Sequence, residues 1–245
     1  MALLAGCAFL GGATIISGFT TGVLEYPVLH SGAVQVFGGI FTTIALLSGG
    51  VLLRLTKIPG VLVIYIGQIL FTFAMWKLGQ APSNSDFGSL IPWLTLRGFA
   101  LGCQFLPLTL MTLTCLPPED DVAASGMFNF SRQIGALIGT AWLQTLREHF
   151  VDRNQTIFGS ALSPEAPNAL SYIENAQQVL ISHGIAIHQT PQAATALMLQ
   201  ESGHQWASIA TNGCFQSLAL LFLVAFPFVI LSRILATRFL KPAAC

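Results

Sequence analysis

Arginine is among the costliest side chains to place inside hydrocarbon, at about 2.5 to 3.5 kcal/mol on the insertion scale. This sequence puts two, Arg97 and Arg132, inside long apolar stretches. A charge in that position marks a water-accessible cavity or a pathway by default. Arg132 shares one helical face with Ser125, Asn129, Gln133, Thr140 and Gln144, while Phe128, Ile134, Leu137, Ile138 and Trp142 occupy the rest. Arg97 lines up with Gln104 and Thr112, and Pro107 between them predicts a kink that frees backbone groups into a polar interior. Ser31, Gln35, Gly38 and Thr42 repeat the pattern in a third stretch. Three such helices can enclose a cavity, with Phe105 and Phe128 offering apolar contact to a ligand. The serines and threonines read as glue between helices. The Gly18/Gly22, Gly98/Gly102 and Gly135/Gly139 pairs read as close-packing signals alone.

Other chemistries find no residues to carry them. No paired carboxylates and no Ser/His/Asp set lie within or beside the apolar stretches, so no enzyme is read here. His149, His183, His188 and His204 fit no metal-ligand spacing on one helix and read as solvated loop histidines. Cys7, Cys103, Cys115, Cys214 and Cys245 are scattered without a C-x-x-C motif and read as small core residues. Neither a cofactor nor a metal is implied. Lysines and arginines number 10 against 10 acidic residues with no basic cluster, which sets nucleic acid aside as a partner.

The elements that must position these side chains are membrane helices. Only 8% of the 245 residues are charged and 53% are hydrophobic, where a soluble domain carries about 25% charge. Residues 1–24, 26–53, 58–76, 98–118 and 202–232 are free of charge, and 122–146 is broken only by Arg132. Each run is close to or above the roughly 18 to 20 residues that span hydrocarbon. The fold expected is an all-α integral membrane bundle of six transmembrane helices, at about 1–24, 28–53, 58–77, 90–115, 122–146 and 206–232, in contact with lipid. The opening run lacks a basic n-region and an A-x-A site, so it reads as a helix rather than a signal peptide.

Arg54 with Lys57, and Arg233 with Arg238 and Lys241, fall on one side of such a bundle, and the positive-inside rule makes that side cytoplasmic. Both termini are then cytoplasmic, 233–245 being a tail, and the Pro117-Pro118 turn is an inner one. Residues 147–205 become a long structured periplasmic loop. Ser163-Pro164 and Thr190-Pro191 are helix-start signals within it, and Ala169, Tyr172, Ile173, Ala176, Val179 and Leu180 recur at helical spacing. Glu25, at an outer mouth, reads as a loop-end residue rather than a proton relay.

The segments LRGFALGCQFLPLTLMTLTCLPPED and AASGMFNFSRQIGALIGTAWLQTL carry a resemblance. They look like the last helices of DHA2-type (EmrB/QacA-like) major facilitator superfamily drug/proton antiporters, through Arg97-Gly98, Phe105, Pro107-Leu108-Thr109, Leu116-Pro117-Pro118-Glu119, Ala123-Ala124-Ser125, Asn129, Arg132, Gln133, Gly135 and Gly139. Weaker similarity covers residues 29–55 and the approach to the final span. The resemblance implies the carboxyl-terminal half, spans nine to fourteen, with the main proton-coupling carboxylate and the drug-efflux glycine motif in a missing N-terminal half. In two places the sequence departs from the pattern. Arg54 and Leu55 stand where the cytoplasmic G-x-L-x-D-R-x-G turn has Asp and Arg, and the first span is shortened before Gly22.

The function implied is one half of a proton-coupled multidrug efflux transporter of the bacterial inner membrane, working by alternating access. Arg132, Asn129, Gln133, Arg97, Gln104, Phe105 and Phe128 would line the cavity for small hydrophobic drug-like substrates and protons. A second reading takes the chain as a truncated, transport-inactive fragment or an assembly module whose outer loop meets a periplasmic adaptor protein.

Overall fold

The computed structural model describes residues 2–56, 59–82, 85–114, 121–159 and 190–239. Among them the secondary structure is helical without a strand: α1 (Ala2–Gly22), α2 (Val28–Thr56), α3 (Gly60–Leu78), α4 (Phe87–Thr114), α5 (Asp121–Gly159) and α6 (Thr190–Phe239). Among the described residues four stretches are long and apolar enough to cross a membrane: Ala2–Gly22, Val28–Val51, Gly60–Leu78 and Gly203–Pro227. The polar stripes of α4 and α5 keep those two helices out of that group. The chain is an integral membrane helical bundle.

Helix boundaries follow local chemistry. Pro59, extended at φ −61° and ψ 123°, stands at the N-cap of α3, and α6 begins at Thr190, where the Thr-Pro pair places a start. Helix reaches further into the stretch read as a loop than its charge suggests. α5 runs on through half-buried Arg147 to Gly159 because no proline or glycine interrupts residues 140–158, and Glu148, Asp152 and Arg153 project from the added turns. The Ser163-Pro164 start, the spacing from Ala169 to Leu180, His183, His188 and the Pro117-Pro118 turn lie outside the described residues.

The helices close a ring in the order α1, α2, α4, α3, α6, α5, with α1 also reaching α6. Phe19, Phe71, Phe215, Met75, Leu78, Leu143 and Leu218 are fully buried within it. Phe71 meets Phe222 at 4.6 Å and Phe19 meets Phe215 edge-on at 5.9 Å between ring centroids. Polar groups in this core bond across helices. Gln68 Nε2 donates to the Phe222 carbonyl at 2.8 Å, and Thr20 and Ser31 hydroxyls meet at 2.6 Å. The carbonyls freed past the end of α3 are answered from α6, as Gln216 Nε2 donates to Gly79 O at 3.1 Å and Asn212 Nδ2 to Ala81 O at 2.8 Å.

Glycine sets how close the helices come. A Cβ on Gly98 would strike the Gly38 carbonyl, and one on Gly102 would lie 2.5 Å from Ala45 Cβ, so α4 and α2 touch backbone to backbone. Thr42 Oγ1 sits 2.9 Å from Gly98 O and 2.8 Å from Gly38 O in the same seam. The α2 stripe of Ser31, Gly38 and Thr42 thus serves packing. Gly135 likewise admits the Leu3 backbone, and a Cβ on Gly139 would lie 2.5 Å from Cys7 Sγ. Gly18 and Gly22, expected to pack in the same way, do not: Gly18 has nothing within 4 Å and Gly22 only an Arg147 nitrogen at 3.8 Å.

The α1 side of this seam has glycines of its own: a Cβ on Gly6 would strike the Arg132 carbonyl, and one on Gly11 would lie 2.9 Å from Leu143 Cδ1 and 3.4 Å from the Gly139 carbonyl carbon. Residues five apart on an unbroken α-helix point about 140° away from each other. Between these two glycines α1 winds as a π-helical turn, Cys7–Gly11, whose extra residue brings both onto the α5 face. Replacing Gly135 with Val is expected to destabilise the bundle by about 1–3 kcal/mol through overpacking, while Gly18→Ala leaves it unchanged, as read from thermal unfolding in detergent.

Candidate functional site

On α5 the polar stripe faces away from the bundle core. Asn129, Gln133 and Gln144 are exposed, Ser125, Arg132 and Thr140 half-buried, and Phe128 buried. The stripe is satisfied along its own helix instead of through neighbours: Asn129 Nδ2 donates to Ser125 O at 3.0 Å and Thr140 Oγ1 to Leu137 O at 2.9 Å. Arg132 is the exception. Its guanidinium lies over the Phe105 ring at 4.9 Å from the centroid, a cation–π contact joining α5 to α4. Counting from Asp121, Arg132 lies roughly 16 Å along the helix, about half the hydrocarbon thickness. Arg132 and Phe105, with Asn129 and Gln133 on the same exposed face, form one part of the expected set.

Arg97 belongs to a different place. It is only 8% exposed, and its Nη2 points to the carbonyls of Ala8 at 3.4 Å and Phe9 at 3.2 Å, both in the π turn of α1. Gly12, the next residue, makes the room: a Cβ there would lie 2.8 Å from Arg97 Nη2. Arg97 also lines a cavity of about 130 Å³ between α1, α2 and α4, with Phe9, Gln35, Gly38 and Thr42 among its walls.

Gln104, two turns further along α4, leans on α3 instead. It is buried, its Nε2 has no partner, and its Cγ lies 2.9 Å from where a Gly67 Cβ would stand, so it packs into the α3–α4 seam. Pro107, buried within α4, has no N–H to give the Cys103 carbonyl four residues back. Cys7 and Cys214 are buried and Cys103 half-buried, all as free thiols. Glu25 lies in the turn between α1 and α2 at φ 50°, and its carboxylate meets His204 Nε2 of α6 at 3.1 Å. Among the described residues no group of His, Cys, Asp and Glu could hold a metal.

Sequence reasoning paired Arg97 with Gln104 and overlooked the backbone that receives the guanidinium. The available signal was the Gly11-Gly12 pair, which only a helix packed on both sides requires.

Comparison with known proteins gives this geometry a setting. The chain is 30% identical over 162 residues to the multidrug export protein EmrB of Escherichia coli, covering 64% of this chain and 30% of that protein. It is 26% identical over 223 residues to EmrB of Haemophilus influenzae, covering 90% and 41%. With the colistin resistance protein EmrB of Acinetobacter baumannii the figures are 21% over 171 residues, 69% and 33%. Over these stretches the chain is EmrB-like, similar to multidrug export proteins of the major facilitator superfamily. No family model matches it. The EmrB-like chain spans less than half the length of these relatives, which are exporters and not enzymes. Its apolar helices and these relatives make it a multi-pass protein of the inner membrane.

The exposed stripe of α5 is the part of this EmrB-like surface least suited to lipid. In a cysteine-free background, Asn129→Cys and Gln133→Cys are expected to react with a hydrophilic methanethiosulfonate at least an order of magnitude faster than Leu137→Cys. Equal rates would mean that lipid covers the stripe.

Proposed function

We propose that the chain is the carboxyl-terminal half of a proton-coupled multidrug efflux transporter, a six-span bundle with both termini cytoplasmic. Residues 147–205 then lie on the periplasmic side, and an N-terminal half supplies the opposite wall and the proton-coupling carboxylate. Major facilitators carry substrate at the midplane between two such halves and alternate access by rocking one against the other. The observation that carries this reading is the outward polar face of α5, centred on Arg132 over Phe105. A guanidinium half-buried at mid-membrane and turned out of its own bundle calls for a polar partner or water on that side. A facing half would turn the stripe into one wall of a wet cavity, and lipid could not.

In that cavity the Phe105 ring holds Arg132 in place and shares its apolar edge with a drug, while Asn129 and Gln133 adapt to different polar groups. Multidrug export, the activity for which these relatives are named, is what this face suits. Expressing the complete reading frame with Arg132→Ala in an exporter-deficient host is expected to abolish the gain in drug tolerance at equal membrane abundance. Arg132→Lys should restore part of it, since charge returns without the planar ring contact. Unchanged tolerance in Arg132→Ala would remove Arg132 from the mechanism.

A further inference from the structure

A cation at the end of a membrane span has water, lipid phosphate and hydrocarbon all within reach, and its partners inside the protein decide which of them it meets. Lys77 is such a residue. The 19 residues of α3 measure about 28 Å, close to the roughly 30 Å of hydrocarbon, and Lys77 is the last but one. Its half-buried ammonium lies 6.0 Å from the Phe73 ring centroid and 5.9 Å from that of Trp93 on α4, and the two rings meet edge-on at 5.9 Å. Both distances stand at the limit of about 6 Å for a cation–π contact. The rings steer the ammonium and leave its three donors open. No carboxylate answers it, since the one ion pair among the described residues joins Glu25 to His204.

From this end of α3 a groove of about 340 Å³ runs toward mid-membrane between α3 and α6, with Ile69, Phe73 and Trp76 on one wall and Phe222, Leu223 and Phe226 on the other. Ile69, Phe73, Trp76 and Leu223 are exposed, so it opens on the outside of the ring. Its two polar side chains are spent within the protein, Gln68 Nε2 on the Phe222 carbonyl and Thr72 Oγ1 on the Gln68 carbonyl at 2.9 Å. What the groove offers is contact with hydrocarbon. The Tyr65 and Phe226 rings, 5.2 Å apart, bridge the two helices at its deep end. From Gln68 to Trp76 it covers about 12 Å of α3, a little less than one leaflet, which is half of the roughly 30 Å core. We propose that the groove between α3 and α6 is a lipid site that takes one acyl chain of an acidic phospholipid, with the headgroup phosphate on Lys77. A neutral lipophile would fill the walls and leave the ammonium unanswered, and a zwitterionic lipid would bring a second cation beside it. The site stands on the membrane class of the chain and is independent of the export reading.

The test follows the fluorescence of Trp76, which lines the groove, in the full chain reconstituted with Trp93, Trp142 and Trp206 replaced by phenylalanine. Phosphatidylglycerol brominated on its acyl chains, as a minor component of phosphatidylcholine vesicles, is expected to quench Trp76 with about fivefold the apparent affinity of brominated phosphatidylcholine, the size of one lysine's attraction to an anionic surface. Lys77→Gln should bring that ratio to about one, and Lys77→Arg should keep it. Leu223→Phe fills the groove from an exposed position and should weaken quenching by both lipids. A chain that keeps Trp142 of α5 alone reports headgroup attraction at large and should show no preference. Equal affinities at Trp76, a preference that survives Lys77→Gln, or the same preference at Trp142 would each overturn the proposal. So would a Trp76 shielded from every brominated lipid at high protein density and uncovered on dilution, which would give the groove to a second copy of the chain. No transport step enters the measurement, so each of these outcomes leaves the export reading standing.

Discussion

Every polar group that enters hydrocarbon must find its partner inside the protein or in water held by the protein, and in this bundle that rule bears hardest on two guanidinium groups. The solutions differ. Arg97 turns inward and leans on backbone carbonyls of α1, which are within reach because the helix winds as a π turn there. Arg132 turns outward and rests on an aromatic face. The first arrangement requires α1 to come close to α4 without a side chain in between, which explains glycine at position 12. The second requires only that Phe105 project from α4 toward α5. One arginine therefore constrains the backbone, and the other constrains a side chain.

The π turn links these demands. An extra residue in α1 sets Gly6 and Gly11 on the face toward α5 and presents the carbonyls of Ala8 and Phe9 to Arg97 from the other side. A regular α-helix could meet one of these requirements, but five-residue spacing would swing one glycine out of the seam. The same element thus sets both the tight α1–α5 contact and the seat of a buried charge. π turns are uncommon and gather at functional positions, and this one lies in the wall of the cavity.

Much of this was legible from residue types. Charge-free runs gave the helical membrane class, and the period of Ser125, Asn129, Arg132 and Gln133 gave the exposed stripe on α5. Gly98/Gly102 and Gly135/Gly139 read correctly as seams because those helices contribute other small residues and face partners that are themselves small, such as Gly38 and Cys7. Gly18/Gly22 has the same spacing but meets no facing backbone, with open space at Gly18 and only an Arg147 nitrogen near Gly22, since spacing says which residues share a face and nothing about what that face meets. The reach of α5 beyond residue 146 was hidden by charge, which tells solvent from lipid but does not end a helix. Gln104 falls in line with Arg97 at seven residues, about 20° short of two full turns. Both leave α4 on nearly the same face, and the length of the side chain decides what each meets: the long Arg97 reaches the carbonyls of α1, while Gln104 lies against Gly67 of α3.

The division between the arginines also bears on how such a bundle could work. A group meant to move with substrate must be able to exchange partners at little cost, and a cation–π contact near an exposed face is worth only about 0.5–1 kcal/mol. Arg132 is held by such a contact and can leave the Phe105 ring for a ligand or for water without disturbing any helix. Arg97 cannot move in this way, because Gly12 and the π-turn carbonyls surround it and any displacement would reopen the α1–α4 contact. The two arginines therefore suit different tasks in different places, Arg97 fixing the α1–α4 contact and Arg132 free to exchange partners on the open face of α5.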